Sequence, residues 1–284
     1  MIPYTRKTLP NGLTVVVNRD RASKLAAVNI LYRVGARNEN PARTGFAHLF
    51  EHLMFRGTRT VENFDLPVQM ASGDNNAFTN NDYTDFYITL PKDNLETALW
   101  LESDRMEGLD ITPAKLEAEK KEVIEEFRQR YLNQPYGDQT MLLRALAYKV
   151  HPYRWAAIGL ATDHIAGATL ADVESFYRTH YRPSNAILSI SADMEEERML
   201  ELAEKWFAPL ADHPSATAAI PQEPMQTQAR RQEVERDVPA STVTVAYHMC
   251  ARTKPDFYTA DLVSDLLSGG DSGRLYTHLV KERQ

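Results

Sequence analysis

The sequence contains a single cysteine, Cys250, in 284 residues, so an internal disulfide is excluded. Such low cysteine use fits a reducing cytoplasm, and it also fits a periplasmic protein whose leader has been removed. The first residues lack the apolar stretch of a signal peptide, which makes the cytoplasm the expected location. No run of about 18 apolar residues occurs, so no membrane span is predicted.

Positive charge is also scarce. Lys and Arg total 32 against 39 Asp and Glu, giving a net charge of -7 without a basic block or stripe. This charge balance argues against a nucleic-acid partner. Hydrophobic residues make up 43% and charged residues 25%, which is the balance of a globular protein. The length suits one large domain and part of another.

Periodicity predicts alternating strands and helices in an α+β arrangement. The predicted strands cover 14–18, 26–33, 84–90 and 186–191, and the predicted helices cover 43–55, 93–107, 113–131, 169–180 and 194–207. Thr44 is the expected N-cap of the first helix, and Gly57 follows its end. Thr112 and Pro113 are a typical N-cap and first helical residue.

A change in composition predicts a linker and a second domain. Residues 208–230 hold four prolines, including Pro214, and are read as an exposed linker. A strand at 241–250 and a helix at 258–267 follow. Residues 243–252 resemble 28–37 in pattern at an offset of 215. The predicted organisation is a metal-binding domain at 1–207, a linker at 208–232 and a truncated second domain at 233–284.

The strongest chemical signal is at residues 48–52, which read His-Leu-Phe-Glu-His. On a helix, His48 and His52 lie one turn apart on the same face, where both imidazoles can reach one zinc ion. Glu51 lies beside them, so its carboxylate can take a proton from a zinc-activated water and deliver it to a leaving amine.

A five-residue match can arise by chance. The rest of this helix is apolar almost all round, however, which predicts that it is buried. Two histidines and a glutamate in a buried helix are costly unless they are satisfied together. A metal ion would satisfy all three, and this favours the metal-site interpretation.

A catalytic zinc takes three protein ligands, so a third must come from elsewhere. The helix that begins at Pro113 offers several glutamates: Glu117, Glu119, Glu122, Glu125 and Glu126. Glu119 and Glu126 both border the apolar stripe of this helix. Spacing alone does not choose between Glu125 and Glu126 as the third ligand.

These features together resemble the pitrilysin/insulinase peptidases, whose zinc motif is the inverted H-x-x-E-H, and especially their bacterial processing-peptidase-like members. The resemblance is carried by the motif, the glutamate helix and three further segments: Asn76-Ala77-Phe78-Thr79, His151-Pro152-Tyr153, and 182–186. It implies one Zn²⁺ per chain, held by His48, His52 and Glu126. Glu51 would be catalytic, and Glu119 would orient a ligand from outside the ligand shell.

The resemblance also implies the fold, which is a mainly antiparallel sheet covered by helices. A partial second copy without the metal motif would follow, and the motif positions there fall on Val263, Leu266 and Leu267. Substrate would add as a strand along Asn76, Ala77 and Phe78, although this segment also reads as an ordinary loop and strand edge. His151 is expected to be structural.

The implied function is a zinc-dependent endopeptidase that hydrolyses peptides or unfolded protein segments. The alternatives are a metal-free partner subunit of the same fold and, ranked last, a hydrolase of this superfamily with a catalytic cysteine. Active members bind the substrate carbonyl through an Arg and a Tyr of a second domain. The Arg position here is Val280, so a homodimer or a heterodimer with a metal-free sister subunit is expected to complete the site.

Overall fold

The computed structural model describes residues 2–213 and 219–283. The chain divides into two compact units, one that ends at Pro239 and one that begins at Ala240. The predicted domain boundaries at 207 and 232 remain predictions. Among the helices of the described residues, none combines the length and the apolarity that a membrane crossing needs.

The first unit is α+β, as predicted, and is built on a six-stranded sheet. The strands are β1 (Thr5–Thr8), β2 (Thr14–Arg19), β3 (Leu25–Tyr32), β4 (Asp74–Thr79), β5 (Thr84–Pro91) and β6 (Ala186–Ala192). Their order is β1-β2-β6-β3-β5-β4. Only β2 and β6 pair in parallel, so the prediction of a mainly antiparallel sheet is confirmed.

The helices of the first unit are α1 (Phe46–Leu53), α2 (Asp65–Met70), α3 (Leu95–Glu107), α4 (Pro113–Phe127), α5 (Gln139–Ala147), α6 (Thr162–Ala166), α7 (Leu170–His180) and α8 (Glu196–Phe207). A π-helical turn (Arg128–Leu132) extends α4. Thr112 accepts a hydrogen bond from the Lys115 amide at 3.2 Å, which confirms the predicted N-cap.

The core lies on one face of the sheet. Alternate residues of β3, which are Ala26, Val28, Ile30 and Tyr32, are fully buried, because successive side chains of a strand point to opposite faces. Helices α3 and α8 pack on the sheet, whereas α1 contacts α4 and the edge strand β4. The packing therefore brings the helix of the zinc motif next to an exposed sheet edge.

The start of α1 differs from the prediction. The helix begins after Gly45 instead of near residue 43, and Thr44 is not its N-cap. The Thr44 hydroxyl instead accepts a hydrogen bond from the Leu160 amide at 2.8 Å and lies 2.9 Å from His164 Nδ1. Tertiary contacts of the Thr44 side chain have replaced the local capping interaction.

The predicted linker is irregular, and Pro214 lies outside the described residues. Most of its described residues are exposed, but several are hydrogen-bonded to the rest of the first unit; Asp212, for example, accepts from the Ser184 amide at 3.0 Å. Glu223 accepts hydrogen bonds from the amides of residues 149–151 at 2.8–2.9 Å. Arg230 donates to the carbonyls of Leu146 and Ala147 at 3.0 and 2.9 Å, which anchors the segment at the end of α5.

The second unit contains α9 (Phe257–Ser268), which confirms the predicted helix there, and a short α10 (Arg274–Tyr276) followed by a π-helical turn (Thr277–Lys281). The prediction of a strand at 241–250 is wrong, because this segment is irregular. A strand needs a partner for its backbone hydrogen bonds, and the described part of the second unit contains no other strand.

Candidate metal centre

Helix α1 presents the motif from a buried position. Phe46, Leu49, Phe50 and Leu53 pack into the core and fix the orientation of the helix. Gly45 precedes it with a φ of 93°, and a Cβ there would lie 2.7 Å from Ile165 Cδ1. Only glycine tolerates both this backbone conformation and this close approach. The apolar packing leaves His48 and His52 facing α4.

The two histidines of the motif lie together on one side of α1. The ring centroids of His48 and His52 are 4.8 Å apart. Their Nε2 atoms lie 3.6 and 3.4 Å, respectively, from the same oxygen of Glu126, Oε2. The buried Nδ1 of His48 has no hydrogen-bond partner. The structure therefore brings together the three residues that were predicted to bind zinc.

The geometry distinguishes Glu126 from Glu125, which the sequence could not do. Glu126 Oε1 binds Arg130 at 2.9 Å, which leaves Oε2 directed at the two histidines. The side chain of Glu125 is 54% exposed and lies 3.6 Å from Arg128. Glu126 is therefore the glutamate placed to act as the third ligand.

The distances from the two histidine nitrogens to Glu126 Oε2 fit a zinc ion. Two ligands about 2.1 Å from a tetrahedral zinc are separated by roughly 3.4 Å, because this is the edge of such a tetrahedron. The observed separations of 3.4 and 3.6 Å match that edge. The donor set of two imidazoles and one carboxylate is also one that catalytic zinc sites use.

The electrostatics of the site favour a positive charge between α1 and α4. Burial lowers the pKa of His48 to about 4. Burial also acts to lower the pKa of His52, but hydrogen bonds to Glu119 and Glu126 outweigh it and raise that pKa to about 9. The hydrogen bond with His52 lowers the pKa of Glu126. Two carboxylates thus converge where a cation is best stabilised.

Glu51 lies beside this cluster and is half-buried. Burial raises the pKa of its carboxyl, against a hydrogen bond from Thr79 and the charge of His52. Thr79 is the last residue of β4, so Glu51 lies between the motif helix and the sheet edge. A carboxylate with a raised pKa is a stronger base near neutral pH.

Glu119 lies next to the His52 ring on the side of Nδ1. Its side chain is 1% exposed, and Oε2 lies 3.5 Å from His52 Nδ1, the nitrogen directed away from Glu126. Glu119 also forms an ion pair with Arg56, which binds Glu122 at 2.8 Å. A carboxylate in this position fixes the orientation of an imidazole and increases its basicity.

The sequence did not identify Arg56 and Arg130, which bind Glu119 and Glu126, as residues of the site. Each follows a predicted ligand by four residues, His52 in one case and Glu126 in the other, and this helical spacing was the available signal.

We expect Glu119→Gln to weaken zinc binding about 10–100-fold, because an amide cannot support the His52 imidazole as a carboxylate does. The zinc dissociation constant can be measured by competition with a chelator. Glu122→Gln is the matched control, since Glu122 is 56% exposed on the same helix and also binds Arg56. Equal zinc affinities for the two variants would exclude a role for Glu119 in orienting His52.

The predicted peptide-binding segment forms the free edge of the sheet. Asn76, Ala77 and Phe78 belong to β4, which among the described strands pairs with β5 alone. The Asn80 amide donates to the Tyr83 carbonyl across the turn at 3.0 Å, and alternation from this pair places the Ala77 backbone on the open side. Consistently, the Ala77 amide donates to the Asn76 side chain at 2.8 Å.

The turn that ends β4 is held by side chains from two other segments of the chain. The Tyr153 hydroxyl donates to both oxygens of Asp82 at 2.6 and 2.7 Å, and Arg37 binds Asp82 at 2.7 Å. His151 Nδ1 accepts from the Tyr153 amide at 3.1 Å. These contacts agree with a structural role for His151, and they anchor the sheet edge next to Glu51.

Comparison with known proteins agrees with the fold and with the cluster of two histidines and a glutamate. Residues 14–156 match the family model "Insulinase (Peptidase family M16)", and residues 167–284 match "Peptidase M16 inactive domain". The chain belongs to this family, which confirms the resemblance to pitrilysin/insulinase peptidases.

Two relatives illustrate the range of the family. The chain is 34% identical over 283 residues to the zinc protease PqqE of Helicobacter pylori, covering 98% of this chain and 64% of that protein. It is 27% identical over 261 residues to a probable mitochondrial-processing peptidase subunit beta of Arabidopsis thaliana, covering 89% and 48%. The chain thus spans about half to two thirds of the length of these curated relatives.

Solved structures agree with the fold. The crystal structure of a protease from Helicobacter pylori superposes with a TM-score of 0.91 at 31% identity, covering 100% of this chain and 69% of that one. A peptidase M16 inactive domain from Pseudomonas fluorescens superposes with a TM-score of 0.81 at 18% identity, covering 99% and 68%. The second similarity supports the fold alone.

Proposed function

We propose that this chain carries the catalytic centre of a zinc-dependent endopeptidase that cleaves peptides or unfolded protein segments. The observation that carries the proposal is the convergence of His48, His52 and Glu126, in which both histidine Nε2 atoms lie 3.4–3.6 Å from Glu126 Oε2. Glu51 lies beside them, and an open sheet edge lies beside Glu51. Membership of a peptidase family supports the same reaction class.

The chemistry divides among the residues of α1 and α4. His48, His52 and Glu126 would hold the zinc, which supplies a more acidic water and polarises the scissile carbonyl. Glu51 takes the proton from the attacking water and transfers it to the leaving amine. Glu119 keeps the His52 imidazole in the orientation and tautomer that leave Nε2 free as a ligand.

The free edge of β4 explains why the substrate would be extended. A peptide that adds to this edge as a strand is held by main-chain hydrogen bonds, which any extended segment can form. The backbone of a folded protein is already paired, whereas that of a peptide or an unfolded segment is available. The edge would therefore select for unfolded substrates and present their backbone next to Glu51.

Ala77→Pro is expected to raise KM for long peptides while leaving zinc bound. Proline lacks the amide proton that faces the open edge, but it need not break the pairing of β4 with β5. Steady-state kinetics with an extended peptide, together with metal analysis, would measure both effects. Ala77→Ser, which keeps the amide, is the control. If Ala77→Pro has the KM of the parent, substrate does not pair with this edge at Ala77.

A metal-free partner subunit remains the second candidate function, and one observation favours it in part. Residues 167–284 match the inactive domain of the family. This match lies outside residues 48–52, where the zinc motif is intact. We therefore assign the metal-free role only to the second unit, where Val263, Leu266 and Leu267 stand at the motif positions.

We further propose that catalysis requires a second chain or further domains of this family. The Arabidopsis relative is by name a subunit. The family resemblance implies that active members carry the Arg that binds the substrate carbonyl at the position of Val280. A homodimer and a heterodimer with a metal-free sister subunit both meet this need. Light scattering of the active preparation distinguishes these assemblies from a monomer.

The proposal is tested by cleavage of an unfolded protein and of its folded form. A strong chelator should abolish cleavage of the unfolded substrate, and stoichiometric zinc should restore it. The folded form should resist cleavage under the same conditions. Cleavage that survives complete removal of metal would contradict the proposed function.

A further inference from the structure

Helix α1 begins without a capping side chain of its own. Its N-cap is Gly45, and the amides of its first turn have no partner within the helix. A capping side chain at Gly45 is excluded, because a Cβ there would lie 2.7 Å from Ile165 Cδ1 and 2.8 Å from the Ile158 carbonyl. The amides of an eight-residue buried helix must therefore be satisfied by another part of the chain.

The two carboxyl oxygens of Glu39 accept hydrogen bonds from amides at the start of α1. Its Oε2 accepts a hydrogen bond from the Gly45 amide at 2.9 Å, and its Oε1 accepts one from the Ala47 amide at 2.8 Å. The Trp155 indole donates to Oε2 at 3.1 Å and fixes the carboxyl from the other side. Glu39 is only 7% exposed. Burial raises its pKa to about 8, against the hydrogen bonds from Ala47, Gly45 and Trp155.

The contact between Glu39 and the Ala47 amide lies one residue away from the metal centre. Ala47, whose amide Glu39 holds, directly precedes His48 in the first turn of α1. The two histidines differ in what orients their rings. His52 Nδ1 faces Glu119 at 3.5 Å, whereas His48 Nδ1 is buried without a hydrogen-bond partner. The direction of His48 therefore depends on packing and on the position of the backbone that Glu39 fixes.

We infer that Glu39 is a positioning residue of the metal centre, which holds the first turn of α1 so that His48 Nε2 faces Glu126. This inference rests on the proposed zinc function. The two histidines are then oriented in different ways. Glu119 orients His52 from behind its ring, and Glu39 orients His48 by capping the helix.

The test compares zinc affinity with stability in the full chain. Glu39→Ala is expected to weaken zinc binding about 10–100-fold, the usual effect of losing a group that supports a ligand. Glu39→Gln keeps one acceptor oxygen and should lose less. Thr169→Ala is the matched control, because Thr169 caps α7 by accepting from the Asp172 amide at 3.2 Å. The control should lower the melting temperature and leave the zinc affinity unchanged.

Two further readouts separate positioning from general destabilisation. The visible spectrum of the cobalt-substituted protein reports ligand geometry, and it should change in both Glu39 variants but not in Thr169→Ala. Amide hydrogen exchange of the metal-free protein should accelerate at Ala47 in the Glu39 variants. Glu39→Gln keeps the test open if Glu39→Ala does not fold.

Each outcome decides between the claims. A Glu39→Gln protein with the zinc affinity and cobalt spectrum of the parent would overturn the inference, and so would an equal loss of zinc affinity in Thr169→Ala. A parent protein that binds no zinc would overturn the proposed function together with the inference. A parent that binds zinc while the Glu39 variants do so equally well would overturn the inference alone.

Discussion

Glu51→Gln is expected to keep its zinc and to slow peptide cleavage about 10²–10⁴-fold, the usual effect of losing a general base. Glutamine has the shape of glutamate but cannot accept the proton of the attacking water. The proposed ligand atoms lie on His48, His52 and Glu126, so this change leaves them in place. The measurement pairs kcat for an extended peptide with the metal content of the same sample.

Glu125→Gln is the control for Glu51→Gln. Glu125 is an exposed carboxylate on α4 that faces Arg128 and not the histidines, so its variant should cleave at the parent rate. If Glu51→Gln cleaves as fast as Glu125→Gln while both hold zinc, Glu51 is not the base. Loss of zinc from Glu51→Gln would instead make Glu51 part of the metal-binding set.

His52→Ala and Glu126→Gln are expected to lower zinc affinity by about 10²–10³-fold each. Structural zinc sites with four protein ligands bind with about 10–16 kcal/mol, so each ligand contributes roughly 2.5–4 kcal/mol. Removal of His52 also leaves Glu119 buried without its imidazole partner, since Glu119 is only 1% exposed. Competition with a chelator of known affinity measures the loss, and cleavage should fall with zinc occupancy.

The same experiment resolves the choice between two adjacent glutamates. Glu125→Gln should bind zinc as the parent does, because Glu125 points to solvent. The assignment of the third ligand fails if Glu125→Gln loses zinc while Glu126→Gln keeps it. Full zinc occupancy in both His52→Ala and Glu126→Gln would exclude this metal site altogether.

The parts of the fold that the sequence predicts well are those with strong local signals. Thr112 and Pro113 mark the start of α4 by capping chemistry that depends on neighbouring residues alone. Strands β3 and β6 alternate because one face of the sheet is buried, so their pattern identifies them. The local sequence of each of these elements is enough to predict its structure.

Two segments show where local signals fail. Strand β4, with the sequence DNNAFT, is rich in residues that disfavour strands, and it exists because β5 pairs with it. Residues 241–250 have the opposite character: their composition favours a strand, but the described part of the second unit offers no strand to pair with. In both cases the formation of a strand depends on whether another strand is available to pair with it.

The candidate site shows the same division. The spacing of His48 and His52 on one helix face identifies the pair from the sequence alone. The choice of Glu126 over Glu125 depends on how α4 packs against α1, which no spacing reveals. Glu39 escaped detection because it caps α1 from six residues before Gly45 and matches no local capping pattern.

The central claim is that His48, His52 and Glu126 hold one zinc ion, and anomalous diffraction at the zinc absorption edge tests it most directly. Crystals of the purified protein are predicted to show one anomalous peak per chain, about 2.0–2.2 Å from His48 Nε2, His52 Nε2 and a carboxylate oxygen of Glu126. Zinc-supplemented crystals with no peak between α1 and α4, or with one only at another group such as Cys250, would contradict the account.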